Sequence, residues 1–178
     1  MLKKKQEKLK EDQFWSMFYS FHSPKNRVHT PPDLERVNFR IWDHVNDDHL
    51  LLMMSRVRSI NFLDLDETDI SNEGVNHLTR LEHIKELRLK GIPAINDDCM
   101  ASLNKITSLE LLHLGGTSVT LKGLMQLGCL QNLKVVLLSL TASEAIREQM
   151  LELKKLLPGC EFILNYKSYL FDPEADDV

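Results

Sequence analysis

The amino-acid sequence predicts an α/β right-handed solenoid. Short parallel strands should line a concave face, helices a convex face, and helical material should cap the N-terminal end. Three observations carry this expectation. Between residues 60 and 138 one phrase is written four times: Ile60-x-x-Leu63-x-Leu65, Ile84-x-x-Leu87-x-Leu89, Leu109-x-x-Leu112-x-Leu114 and Leu133-x-x-Val136-x-Leu138, with starts 24, 25 and 24 residues apart. The first three copies each carry a second apolar mark, Ile70, Ile95 or Val119, followed by apolar residues at helical spacing (Val75, Leu78, Leu81; Met100, Leu103, Ile106; Leu124, Leu127, Leu130). Finally, Ser71, Asn96 and Thr120 stand directly after that mark, where a short polar side chain can accept a hydrogen bond from the first helical turn.

A fixed period in the twenties with L-x-x-L-x-L is the signature of a short leucine-rich-repeat solenoid. In chain order, residues 1–12 are lysine-rich and mixed in sign, and read as a solvated helix start. Phe14, Trp15, Met17, Phe18, Tyr19 and Phe21 crowd the next stretch; the four-residue spacings of Phe14 with Phe18 and Trp15 with Tyr19 suit an amphipathic helix. That helix either closes the open end of the stack or docks on a partner or membrane surface. Residues 23–32, with Pro24, Asn26, Pro31 and Pro32, read as a loop. Asp33 is expected to cap a short helix, and Asp47 or Asp48 another running through Leu50 to Met54. Strands are expected at 61–65, 86–89, 111–114 and 135–138, with helices near 72–81, 97–105 and 121–129. The second copy has an extra residue around Gly91-Ile92-Pro93-Ala94, expected to bulge outward. Ser143 can cap a helix over 144–157, which Pro158-Gly159 stops, and 160–164 reads as a last strand. The organisation is then a helical N-terminal extension and cap over 1–55, a leucine-rich-repeat domain over 56–165 and a C-terminal tail over 166–178.

With 178 residues, 43% hydrophobic and 27% charged, the chain suits one soluble domain with decorated ends. A net charge of −4 gives nothing to recruit nucleic acid, although the lysines of 3–10 beside Phe14 and Trp15 are the place to look. No apolar run reaches membrane-spanning length, so no integral membrane segment is expected. The lysines near the start are followed by no apolar core, and Glu7, Glu11 and Asp12 interrupt them without any Arg. The location expected is cytoplasmic, or the mitochondrial matrix for a mature form whose leader has been removed. Cys99, Cys129 and Cys160 are widely separated and read as core thiols.

Asp97-Asp98-Cys99, Leu103 and Leu109-x-x-Leu112-x-Leu114 resemble the ribonuclease-inhibitor-like, cysteine-containing branch of the leucine-rich repeats. Over about residues 63–164 a closer resemblance runs through residues 81–89 (Leu-Glu-His-Ile-Lys-Glu-Leu-Arg-Leu), Ile95-Asn96-Asp97-Asp98-Cys99, the stretch 133–139 and a capped helix ending Leu157-Pro158. These are similar to the family of mitochondrial ATP synthase subunit s, also called coupling factor B. The resemblance implies an accessory or assembly factor of ATP synthase or of a respiratory complex, since a related member assists assembly of the membrane arm of complex I. It also implies a divalent ion near Thr68, while residues 1–55, which would supply the ion's other side, do not match.

Stacking the copies in register places three rows on the concave side: Phe62, Glu86, Leu111, Val135; Asp64, Arg88, His113, Leu137; and Asp66, Lys90, Gly115, Ser139. Asp64 should sit beside Arg88 and Asp66 beside Lys90, as surface ion pairs or as a mixed-charge recognition strip. Leu111, Val135, Leu137 and Phe62 should lie open, to be covered by a partner protein or by the tail residues Tyr166, Tyr169, Leu170 and Phe171. The partner-binding set expected is Phe62, Asp64, Arg88, Lys90, Leu111, His113, Val135 and Leu137. His113 should be exposed beside Arg88 and lacks a nucleophile partner. His44 and His49 are five apart, not on one helix face, and Gly115-Gly116-Thr117 lacks the spacing of a phosphate loop. Nothing specifies an active site, a cofactor or a metal centre. The reading is a non-enzymatic protein-binding module, an adaptor or assembly factor with a protein partner. The alternative is the accessory role that the resemblance implies.

Overall fold

The computed structural model describes residues 2–22, 32–140 and 146–171. Most of the loop expected at 23–32, the cap expected at Ser143 and the acidic end of the tail lie outside the described residues. Helix α1 spans Leu2–His22 and is followed by β1 (Asp33–Asn38), α2 (Asp47–Met53), β2 (Ser59–Asp64), α3 (Asn72–Leu78) and β3 (His83–Arg88). A 3-10 turn at Asp97–Cys99 leads into α4 (Met100–Leu103), then come β4 (Leu111–Leu114), α5 (Leu121–Leu124), β5 (Val135–Leu138), α6 (Ile146–Leu156), β6 (Glu161–Leu164) and β7 (Lys167–Ser168). The seven strands form one sheet in chain order. Strands β1 to β6 are parallel, and β7 folds back antiparallel on β6. This is a mixed α/β, solenoid-like arrangement, one strand and one helical segment per turn.

The repeated aliphatic positions turn inward, as alternation along a strand with one covered face requires. Leu63, Leu87 and Leu112 are fully buried in one ladder, and Leu65, Leu89 and Leu114 in the next. The ladders continue past the sequence repeat at both ends, with Val37 and Phe39 before them and Phe162 after. Asp33 therefore begins a strand and not a helix, and the sheet starts one unit earlier than the repeat phrase suggested. Leu34-x-x-Val37-x-Phe39 is the phrase itself with Val and Phe in leucine positions, paired residue for residue with Ile60, Leu63 and its neighbours.

The polar residue after the second apolar mark caps its helical turn in each unit. Ser71, Asn96 and Thr120 accept from the main-chain N–H of Glu73, Asp98 and Gly123. In the first unit the cap is Asn46, not Asp47 or Asp48, and it forms a reciprocal box with His49. The side chain that follows each of the first three caps reaches to the next unit. Asp47 accepts from the Ser71 N–H and hydroxyl at 2.8 and 2.6 Å, and Asp97 from those of Thr120 at 2.8 and 2.7 Å. Asn72 exchanges two bonds with Asn96. The helical segment expected at 121–129 shrinks to the single turn of α5, and that at 97–105 to a 3-10 turn and one α turn, because the chain tightens to i→i−3 bonding at Lys105, Ile106 and Gln126 and returns to the sheet. In the loop with the extra residue, Pro93 and Ala94 point outward, but Ile92 is buried.

Both ends of the core are closed by aromatic side chains. From α1, Phe14, Trp15, Phe18 and Tyr19 are buried, with Phe18 6.1 Å from Phe39 and Phe14 5.9 Å from Trp42, ring centre to ring centre. At the other end Phe171 packs edge-on against Phe162 at 6.3 Å and Tyr169 against Phe171 at 4.9 Å. Cys99 and Cys160 are core thiols as expected, whereas Cys129 is exposed, because it follows the last helical turn of its unit on the outer side.

Candidate functional site

The concave surface is built by the residues between the inward ladders, and the pairing places them in register as expected. Phe62 lies beside Glu86, Glu86 beside Leu111 and Leu111 beside Val135; Asp64 lies beside Arg88, Arg88 beside His113 and His113 beside Leu137. Strand β1, not expected from the sequence, and β6, expected as the last strand, lengthen the rows. Arg36 on β1 lays its guanidinium 3.9 Å from the Phe62 ring centre, a cation–π contact, and Ile163 on β6 stands next to Leu137.

The electrostatics depart from the simple ladder. Arg88 reaches diagonally past its neighbour Asp64 to Asp66, with Nε at 3.2 Å and a terminal nitrogen at 2.9 Å from one carboxylate oxygen. The other oxygen accepts the main-chain N–H of Lys90 at 2.8 Å, so the pair expected between Asp66 and the Lys90 side chain is a backbone contact instead. Asp66 is fully buried, and Arg88 and the Lys90 N–H supply its hydrogen-bond partners there. Asp64 and His113 are also buried, at 6% exposure each, and not open as expected. Asp64 turns one oxygen to the Asp66 N–H at 3.0 Å. His113 nestles against Gly115, where a side chain would press on its Nε2 at 3.0 Å. Burial holds the His113 pKa below the ordinary histidine value; Asp66 and Asp64 pull the other way, while Arg88 and Lys90 add to the depression.

What stays open is apolar and lies toward the C-terminal strands. Leu111, Val135, Leu137 and Ile163 are half-buried and adjacent on β4, β5 and β6. Phe62 sits two strands away under Arg36, beyond Glu86. The described part of the tail does not cover this strip. Tyr169 and Phe171 pack on the inward side at Phe162, and Tyr166 and Leu170 are largely exposed. Outside these rows, Glu110 takes Lys134 at 2.7 Å and Lys85 at 3.8 Å, and Asn61 donates to Glu35 at 2.7 Å. Such rim contacts space the strands and leave the strip free.

Burial pushes the Cys99 thiol up to about 12 and Cys160 to about 11, which leaves neither a ready thiolate. Thr68, near which the resemblance implied a divalent ion, is buried beside β2. Its hydroxyl donates to the Leu65 carbonyl at 2.8 Å, and among the described residues no group of three or more His, Cys, Asp or Glu stands together as metal ligands. Among the described residues no helix is long and apolar enough to cross a membrane.

Fold and site together define an α/β repeat stack with capped ends and a partly apolar concave sheet. Comparison with known proteins gives this architecture a relative. Over 114 residues the chain is 32% identical to human mitochondrial ATP synthase subunit s, a match covering 61% of this chain and 57% of the human protein. The orangutan protein of the same name, from Pongo abelii, matches equally, and the mouse protein is 29% identical over 134 residues, or 71% of this chain and 66% of the mouse one. The chain is thus homologous to subunit s over part of its length, and spans well under the whole of the relatives it matches. No family model matches it.

Proposed function

We propose that the chain is a leucine-rich-repeat accessory factor of mitochondrial ATP synthase, acting without catalysis by holding a protein subunit on its concave face. The observation that carries this reading is the homology to proteins named as a subunit of that enzyme. It favours a role in one assembly over that of a general adaptor. The docking surface is the apolar strip Leu111, Val135 and Leu137, bordered by Arg88 and Lys90, with Phe62 toward the N-terminal side; Asp64 and His113 stand in its rows but are buried. Half-buried aliphatic residues on adjacent strands give a partner apolar area to cover, and the buried Asp66–Arg88 pair fixes the rim beside them. The same relatives support a mitochondrial location.

Affinity capture from mitochondria of the source cells tests this. Tagged wild type should recover ATP synthase subunits, and the double variant Leu111→Arg, Leu137→Arg should recover about tenfold less while keeping its unfolding midpoint. The side chains are half-exposed, so the fold should accept the change, whereas two buried charges at an interface cost about this much or more. Recovery of respiratory-complex subunits in place of ATP synthase, or equal recovery by the variant, would sink the reading.

A further inference from the structure

Helix α1 has two faces, and the stack uses only one. Phe14, Trp15, Phe18 and Tyr19 are buried against the first unit, and Glu11 turns to Arg56 at 3.3 Å. On the other side Leu9, Met17 and Phe21 are 58%, 41% and 53% exposed, although Phe21 still touches Trp42 with one edge. At 100° per residue Lys5 and Lys10 flank Leu9 and Met17 on this outward side, and the arc between them also holds Gln6, Gln13, Ser16 and Ser20 and no carboxylate. The first residue of the helix that the stack buries is Phe14, and residues 4–6 and 8–10 ahead of it are exposed. In the sequence ahead of Phe14 the helix carries Lys3, Lys4, Lys5, Lys8 and Lys10 against Glu7, Glu11 and Asp12, with the lysines concentrated toward its start.

A lysine-rich helix with an acid-free arc of Leu, Met and Phe is built to lie in the interface of an anionic bilayer, its apolar side chains among the acyl chains and its ammonium groups at the headgroups. The excess of lysine suits anionic headgroups, and among the described residues no helix is long and apolar enough to cross a membrane. We propose that the outward arc of α1, centred on Leu9, Met17 and Phe21 with Lys5 and Lys10, is a peripheral docking surface for anionic lipid. The stack is then held at a membrane by a helix that also closes its N-terminal end. Docking requires no release of Phe14 or Phe18, which lie on the core face, while Phe21 borders both faces through its contact with Trp42.

Flotation of the full chain with phosphatidylcholine vesicles, alone or with about a third phosphatidylglycerol, tests this directly. The wild type should float with the anionic vesicles, barely with the neutral ones, and much less at 0.5 M salt, since charge attraction at the surface is screened within a Debye length. Lys5→Gln, Lys10→Gln should lower the bound fraction about tenfold or more, as each lysine near such a surface contributes roughly a fivefold factor. Leu9→Gln, Met17→Gln should lower it several-fold. Both pairs are exposed, and an unchanged circular-dichroism spectrum and unfolding midpoint would confirm that the fold is kept. No flotation with anionic vesicles, equal flotation with neutral ones, or binding that survives both double variants would overturn the proposal. Capture of ATP synthase through the concave strip is read separately, so either idea can fail alone.

Discussion

At the scale of single residues, the least conspicuous positions carry the tightest constraint. Gly74 and Gly123 sit in the first turn of α3 and α5, where a Cβ would land far inside contact distance of Asp47 Oδ1 and Asp97 Oδ1. Those carboxylates are not free to swing aside, because each holds both the N–H and the hydroxyl of the next capping residue. In an open helix Gly→Ala is stabilising by nearly 1 kcal/mol. Here Gly123→Ala should destabilise by about 1–3 kcal/mol, since it breaks charge-assisted bonds at a cap. Chemical denaturation measures it, and a cycle with Asp97→Ala identifies the cause: in that background Gly123→Ala should turn neutral or favourable. A penalty that persists without Asp97 would mean that something other than the carboxylate fills the space. The sequence offered a faint signal, a glycine three places after Ser71 and again after Thr120, but nothing in it told an unfavourable helix residue from a required one.

At the scale of elements, the strand–helix units were legible wherever leucine filled the phrase, and the capping residues confirmed them. Ser71, Asn96 and Thr120 were readable because a cap needs a short polar side chain at one fixed place. The first unit was not read, because Val37 and Phe39 stand where leucines were sought and Asp33 resembles a cap. Its identity comes from pairing, which is long-range and invisible to local pattern. The concave site was legible to the level of rows, since register fixes neighbours. Burial of Asp64, Asp66 and His113 was not, because it depends on how a long side chain such as Arg88 chooses among two carboxylates. The docking of α1, by contrast, yields a test of an element. Removing residues 1–22 should uncover Val37, Phe39 and Trp42, forfeiting the burial of four aromatic side chains worth roughly 2 kcal/mol each before the entropy of ordering the helix is returned. Against a total of about 5–15 kcal/mol, the truncated chain should bind an apolar-surface dye strongly and melt at clearly lower temperature. Unaltered dye binding would mean that α1 does not seal the stack.

At the scale of the whole molecule, each unit touches only its neighbours, and stability becomes a chain of local interfaces rather than one indivisible core. The two aromatic closures sit at opposite ends of a sheet whose strand order is the chain order. A cut at one end should therefore be felt nearby and fade with distance. Removing residues 166–178 takes away β7, Tyr169 and Phe171, and with them the cover over Phe162. Hydrogen exchange should then quicken in β6 and α6, through local opening, and stay slow in β2 and β3, whose partners are intact. The concave strip at Leu111, Val135 and Leu137 should keep its accessibility, since the described tail packs on the other side of the sheet. If exchange instead quickens uniformly from β1 to β6, the units melt as one body and nearest-neighbour stability is the wrong description. If the strip itself becomes newly reactive to solvent, the tail had been lying on it, and the surface assigned to a partner would be one that the chain covers for itself.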